Sequence, residues 1–281
     1  SAVPKIRDEP AAAEQMISHL NSLGITAWLD PSVTGIRDEE HPNVDAYLYL
    51  SGKNRLTAHV KATVVADADG DPVIQINRLK ALQKKYNASP LFSIIGFKIF
   101  SDGVIEHPTH TAALSEKYAH QDSKGSLLFR PENFARFATM ADKNQLLVHV
   151  HAIGDLAVTE TLNGFEKVRK ANPRSSIPHT ITHMQIVQPG DFSRFSKMNI
   201  IASLQLLWAF HDVTTIDIVQ PCISPQLFQW QYPARSLLQA GTVIAGASDW
   251  PVSSANPFEA MARAETRSGE KGVLDPTQRM P

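Results

Sequence analysis

Four apolar runs in this chain each end in a side chain able to bind a metal or move a proton. IIGFKIFSDG carries Lys98, LLVHVHAIGD carries His151, HTITHMQIV carries His183, and TVIAGASDWPV carries Asp249. A lysine, two histidines and an aspartate delivered from successive strand ends suit metal-dependent hydrolysis. In a parallel α/β barrel those ends converge on one mouth, and the mouth carries the chemistry. Each residue alone is a weak signal. The intervals between them, 53, 32 and 66 residues, carry more. A βα unit takes about 30 residues or more, so the set fits barrel units 4, 5, 6 and 8, with NIIASLQL as unit 7.

Strand alternation puts Ile95, Phe97 and Ile99 on one face and Gly96, Lys98, Phe100 and Asp102 on the other. A lysine in so apolar a run is costly unless paired or neutralised. Three readings stay open: a Schiff-base or general-base lysine, a lysine carboxylated on its amine that bridges metals, and a lysine reaching out of the barrel end to Asp102. His149 and His151 share a face, and their spacing puts metal ligation level with a hydrogen-bonded core role. Taking them as the ligand pair of a first strand requires a strand lysine three units on. Lys167, Lys170, Lys197 and Lys271 all fall in helices or loops, so that registration is rejected. Asp155 is expected to support a ligand's second nitrogen or to cap the next helix. Asp249 ends its strand, with turn capping as the plainer role.

The elements that must position these residues alternate. Helical periodicity covers 9–24, 73–87, 131–144 and 156–172, with shorter helices at DFSRFSKM and PARSLLQAG. Strands are expected near 25–30, 56–66, 94–101, 146–151, 180–186, 199–206 and 242–248. Residues 209–233 read as a long loop holding a short helix. Such alternation predicts a parallel sheet. No linker interrupts it, so residues 1–281 read as one domain.

Composition narrows the function classes. With 27 Lys+Arg against 28 Asp+Glu and no basic stripe, nucleic acid is not an expected partner. The apolar runs are strand-sized, well under the roughly 20 residues of a membrane span, so no membrane is expected either. SAVPKIRDEP lacks a signal-peptide core; the cytoplasm is favoured, with an upstream signal left open. Cys222 is the only cysteine, which excludes an intrachain disulfide and a cysteine metal cluster. A catalytic role for it is disfavoured, because a nucleophilic cysteine wants a nearby base. His107 and His110 are expected to be exposed.

The phrases FKIFSDG, TAAL, HAIGD, ITHMQIV, IIASLQ and GASDWPV occur in an order that resembles the amidohydrolase superfamily. The likeness is to the branch holding N-substituted formamide deformylases and exoenzyme regulators, and it spans most of residues 10–265. It implies a (β/α)8 TIM-type metallo-dependent hydrolase barrel with one or two divalent metals, usually zinc. By the same resemblance Lys98 is the carboxylated bridging lysine, and His151 and His183 are the strand-5 and strand-6 ligands. Asp249 is the strand-8 ligand and proton shuttle. In the expected mechanism a metal, helped by His183 or a strand-7 loop residue, polarises the substrate carbonyl. His149 matches no ligand. The family's first strand, with its His-x-His pair, and its accessory β-sandwich have no counterpart; HPNVD and THTAAL offer histidines off any apolar strand. The chain therefore reads as a central piece in which the metal is held poorly or is absent.

Of the aromatic residues after strands 7 and 8, Trp208 and Trp250, with Gln205 and His211, are the expected substrate contacts. The expected reaction is hydrolysis of a carbon–nitrogen bond in a small, partly apolar molecule. A non-catalytic barrel serving as a binding or regulatory module is the rival, and a Schiff-base barrel using Lys98 is the second. A homo-oligomer is left open.

Overall fold

In a computed structural model, residues 9–281 are described. The stretch SAVPKIRDEP lies outside them up to residue 8. The chain divides into two compact units, the first ending at Lys98 and the second covering Ile99–Pro281.

The first unit runs α1 (Glu9–Ser22), β1 (Ala27–Gly35), α2 (Pro42–Gly52), β2 (His59–Val65) and α3 (Pro72–Tyr86) into β3 (Phe92–Phe100), whose last two residues belong to the second unit. β1 pairs β2 and β2 pairs β3, both in parallel. The β1–β2 register shifts between Asp30 and Thr34, around Pro31, which has no N–H to give the ladder. The Thr63 hydroxyl donates to the Pro31 carbonyl there, 2.6 Å away. On β3 the register skips Ile95, and from Gly96 to Ile99 every residue is buried. Burial on both faces is the signature of a covered parallel strand.

Helix starts follow their chemistry. Asp71 accepts from the N–H groups of Val73 and Ile74 and is followed by Pro72, while Lys84 and Lys85 sit in the last turn of α3. The sequence reading missed α2. It has no side-chain cap at His41, and its core face is only Val44, Tyr47 and Leu50.

The second unit continues with α4 (Pro131–Lys143), β4 (Leu147–Ala152), α5 (Asp155–Ala171), β5 (Thr180–His183), α6 (Phe192–Lys197) and β6 (Ile201–Leu204). It then runs through α7 (Pro225–Phe228), α8 (Ala234–Gln239), β7 (Ile244–Gly246) and α9 (Pro257–Thr266). A small antiparallel hairpin follows, β8 (Ser268–Gly269) with β9 (Gly272–Val273). β4 to β7 pair in parallel, in chain order. Seven parallel strands thus stand where seven were expected. α9 and the hairpin were not anticipated, and the region 209–233 holds a π-helical turn, Val213–Val219, as well as α7.

α4 and α5 pack through Phe134 against Phe165, rings edge to face at 5.3 Å. Gly164 permits this approach, since a Cβ there would lie 2.3 Å from the Phe134 ring. Burying each such ring contributes about 1.5–3 kcal/mol. This layer covers β4, whose residues from Val148 to Ala152 are all buried.

Candidate functional site

The register of β4, β5 and β6 sets the site. His151 pairs with Thr182, and Thr182 with Ser203, so the three lie in one row across the strands. His183 pairs with Ala152 one step further toward the strand C-termini, and Gln205 follows the last residue of β6. The imidazoles of His151 and His183 come together edge to face, 4.6 Å between centroids, and both residues are buried.

Each ring has a hydrogen-bond partner at one nitrogen. His151 Nε2 donates to the Gly103 carbonyl at 2.9 Å, and a carbonyl only accepts. Its Nε2 therefore bears a proton. His183 Nδ1 lies 3.1 Å from Gln205 Oε1, an acceptor, so Nδ1 bears a proton there. Gln205 Nε2 donates to Thr182 Oγ1, and Thr182 Oγ1 donates to Ser203 Oγ. The Trp208 ring lies parallel to His183, 1° apart in plane and 5.8 Å away. His183 takes φ +75° and Asp249 φ +53°. That left-handed region is uncommon for side-chain-bearing residues and recurs at functional sites.

Asp102 braces the neighbourhood. Its carboxylate, 1% exposed, accepts from the backbone N–H groups of Ala113, Ile153 and Gly154, and lies 3.5 Å from His151 Nε2. Burial pushes its pKa up to about 7, against the pull of those three donors. Its Ser-Asp-Gly setting at a strand end is the one sequence signal that marks it.

The other expected residues are placed as follows. Lys98, in the first unit, is 3% exposed; its carbonyl accepts from Ala66 N. Asp249 sits three residues past β7, half-buried. His211 Nδ1 is held by the Lys271 carbonyl at 2.7 Å. Trp250 is 40% exposed. His149 is buried and meets the Thr180 hydroxyl.

Two expectations need correction. His110 is buried rather than exposed: it stacks on Tyr118, and its Nε2 lies 3.2 Å from Cys222 Sγ. Asp155 neither supports a ligand nor caps its own helix; it accepts from Ser115 N and Gln188 Nε2, tying two loops.

Two buried imidazoles side by side at adjacent strand ends are a donor pair of the kind that binds a divalent metal. Among the described residues no group of three or more His, Cys, Asp or Glu side chains is placed to hold one.

Comparison with known proteins gives a consistent picture. A sequence model of the amidohydrolase family matches residues 4–281. The chain is 32% identical over 226 residues to Protein LONG AFTER FAR-RED 3 of Arabidopsis thaliana, covering 79% of this chain and 37% of that protein. It is 29% identical over 198 residues to the exoenzymes regulatory protein AepA of Pectobacterium carotovorum subsp. carotovorum, covering 70% and 40%. The fold matches an uncharacterised metal-dependent hydrolase of Pyrococcus horikoshii with TM-score 0.78 at 23% identity, over 97% of this chain and 52% of that one. The chain thus spans about two fifths of those curated relatives and about half of that solved structure.

Proposed function

The chain belongs to the amidohydrolase family, and on that premise we propose that the whole protein hydrolyses a carbon–nitrogen bond, of the non-peptide amide type, in a small and partly apolar substrate. The observation that carries the reading is the contact of His151 with His183, two buried imidazoles at the ends of adjacent strands. His151 and His183 would hold a divalent metal, proposed as zinc. Such a metal supplies an acidified water and a polarised carbonyl when bound. Asp249 takes the proton of the attacking water and returns it to the leaving nitrogen. Its place beyond β7, beside Ser248 and Trp250, supports that role. Lys98 is proposed to carry a carbamate on its amine, as the family resemblance implies, tested by native mass spectrometry. Trp208, stacked on His183, walls the site on its apolar side. His211 and Trp250 are the further proposed substrate contacts. Gln205, expected among them, has both ends of its amide engaged inside the fold.

The test is amine release from a panel of N-acyl and N-formyl amines by the whole protein, with and without a chelator. Turnover that the chelator abolishes and zinc restores is the expected result. Zinc-independent turnover, or none on any amide, would count against it.

The rival reading is a non-catalytic binding or regulatory barrel. Under that reading the whole protein binds small molecules without turning any of them over.

A further inference from the structure

His183 has its orientation set by groups that are not themselves candidate ligands. Gln205, 2% exposed, places Oε1 3.1 Å from His183 Nδ1 and Nε2 3.2 Å from Thr182 Oγ1. The hydroxyl row agrees with this direction of the amide. Thr182 Oγ1 donates to Ser203 Oγ at 3.3 Å, so toward Gln205 it accepts. With Gln205 Nε2 committed to Thr182, only the oxygen faces the imidazole. An amide oxygen accepts and cannot donate, so the imidazole must supply the proton from Nδ1. Strand pairing holds the relay rigid, because Thr182 and Ser203 are register partners on β5 and β6. The parallel Trp208 ring fixes the plane of the imidazole.

We propose that Gln205 is a positioning residue: through Thr182 and Ser203 it holds His183 in the Nδ1–H tautomer, making Nε2 the nitrogen that ligates. This deepens the metal-ligand reading of His183 and rests on it for its purpose. The tautomer itself stands on the hydrogen-bond polarity alone. An amide turned end for end would reverse the assignment, placing the proton on Nε2 and the lone pair toward Gln205. The chemistry of the relay therefore makes a two-way choice that spectroscopy reads directly.

The experiment is long-range 1H–15N correlation of the imidazoles in the metal-free chain at about pH 8, above the ordinary histidine value of about 6.5. His183 is assigned by its loss in His183→Gln. Wild type should show Nδ1 protonated and Nε2 with the shift of an unprotonated ring nitrogen. Gln205→Glu keeps an acceptor beside Nδ1 and should keep the tautomer. Gln205→Leu removes the acceptor and should give mixed tautomers. Thr182→Val, nearly isosteric, frees the amide to turn and should also mix them, so the test survives if the leucine variant does not fold. Zinc affinity is read in parallel, by competition with a chromophoric chelator, and should fall roughly 10–100-fold in Gln205→Leu, as for other groups that orient a ligand. An Nε2-protonated His183 in wild type, or one tautomer unchanged across all the variants, overturns the proposal. A tautomer that follows Gln205 in a whole protein that binds no zinc upholds the positioning role and overturns the ligand reading instead.

Discussion

His179 is fully buried, stacked on Phe165, with Nε2 donating to Asp142 and Nδ1 accepting from Val148 N. Burial pushes its pKa down, against the hydrogen bond to Asp142. Burial alone would raise the Asp142 carboxyl, yet hydrogen bonds from His179, Ser175 and Asn172 hold it below its ordinary value. Both folded values lie below the unfolded ones, so the unfolded chain takes up each proton first. The His179 contribution is present above about pH 6.5 and is lost as the pH falls toward the folded value. That of Asp142 persists to about pH 4 before it too is lost. Urea unfolding at pH 7.5 and 5.5 should show wild type losing more stability than His179→Gln, bounded by about 1.4 kcal/mol per pH unit for one proton. Parallel losses would contradict this. Cys222 makes a second prediction at this scale. Its thiol donates to the Ile218 carbonyl beside His110, and burial pushes its pKa up. Iodoacetamide at pH 7.5 should label it far more slowly in the folded chain than in urea, by intact mass. Equal rates would mean an activated thiol. The strand-end residues were legible because a charged or imidazole side chain closing an apolar run is expensive without a purpose. The His110–Cys222 contact was not, because it joins residues 112 positions apart across irregular segments.

At the scale of elements, the C-terminal ends of β3 and β4 are tied by backbone groups converging on one carboxylate. Asp102→Ala would leave the N–H groups of Ala113, Ile153 and Gly154 without their acceptor. Each buried donor so orphaned costs about 1–3 kcal/mol. The variant should lose at least about 3 kcal/mol in chemical denaturation, with Asp102→Asn, which keeps one acceptor oxygen, losing less. A near-neutral alanine variant would mean that water replaces the carboxylate. Arg267 does the reverse job, a buried cation donating only to carbonyls: Leu274, Tyr232 and Gln231. Burial lowers its pKa to about 10, so it stays charged at neutral pH. Arg267→Met should loosen β8, β9 and the segment around Tyr232, seen as faster hydrogen exchange there than in β4. Unchanged exchange would remove the arginine from that role. The strands and longer helices were readable because their apolar periods are uninterrupted. α2, α9 and the π-helical turn were not. α2 lacks a capping side chain, α9 leaves Phe258 and Met261 exposed instead of on a core face, and no hydrophobic period announces a π-turn.

On the scale of the whole molecule, the parallel order of the strands was legible because helical and strand periods alternate along the chain. The proposed ligands were legible only as residue types in sequence order. Which ring nitrogen each histidine presents depends on Gly103, Gln205, Thr182 and Ser203, partners that no local pattern connects. His151 and His183, and not His149, are the residues proposed to hold a divalent metal. Zinc per mole of whole protein, measured by plasma mass spectrometry after equilibration and gel filtration, tests this most directly. Wild type and His149→Gln should carry near-stoichiometric zinc, while His151→Ala and His183→Ala should carry little. Full zinc in His183→Ala, or its loss in His149→Gln, would contradict the account.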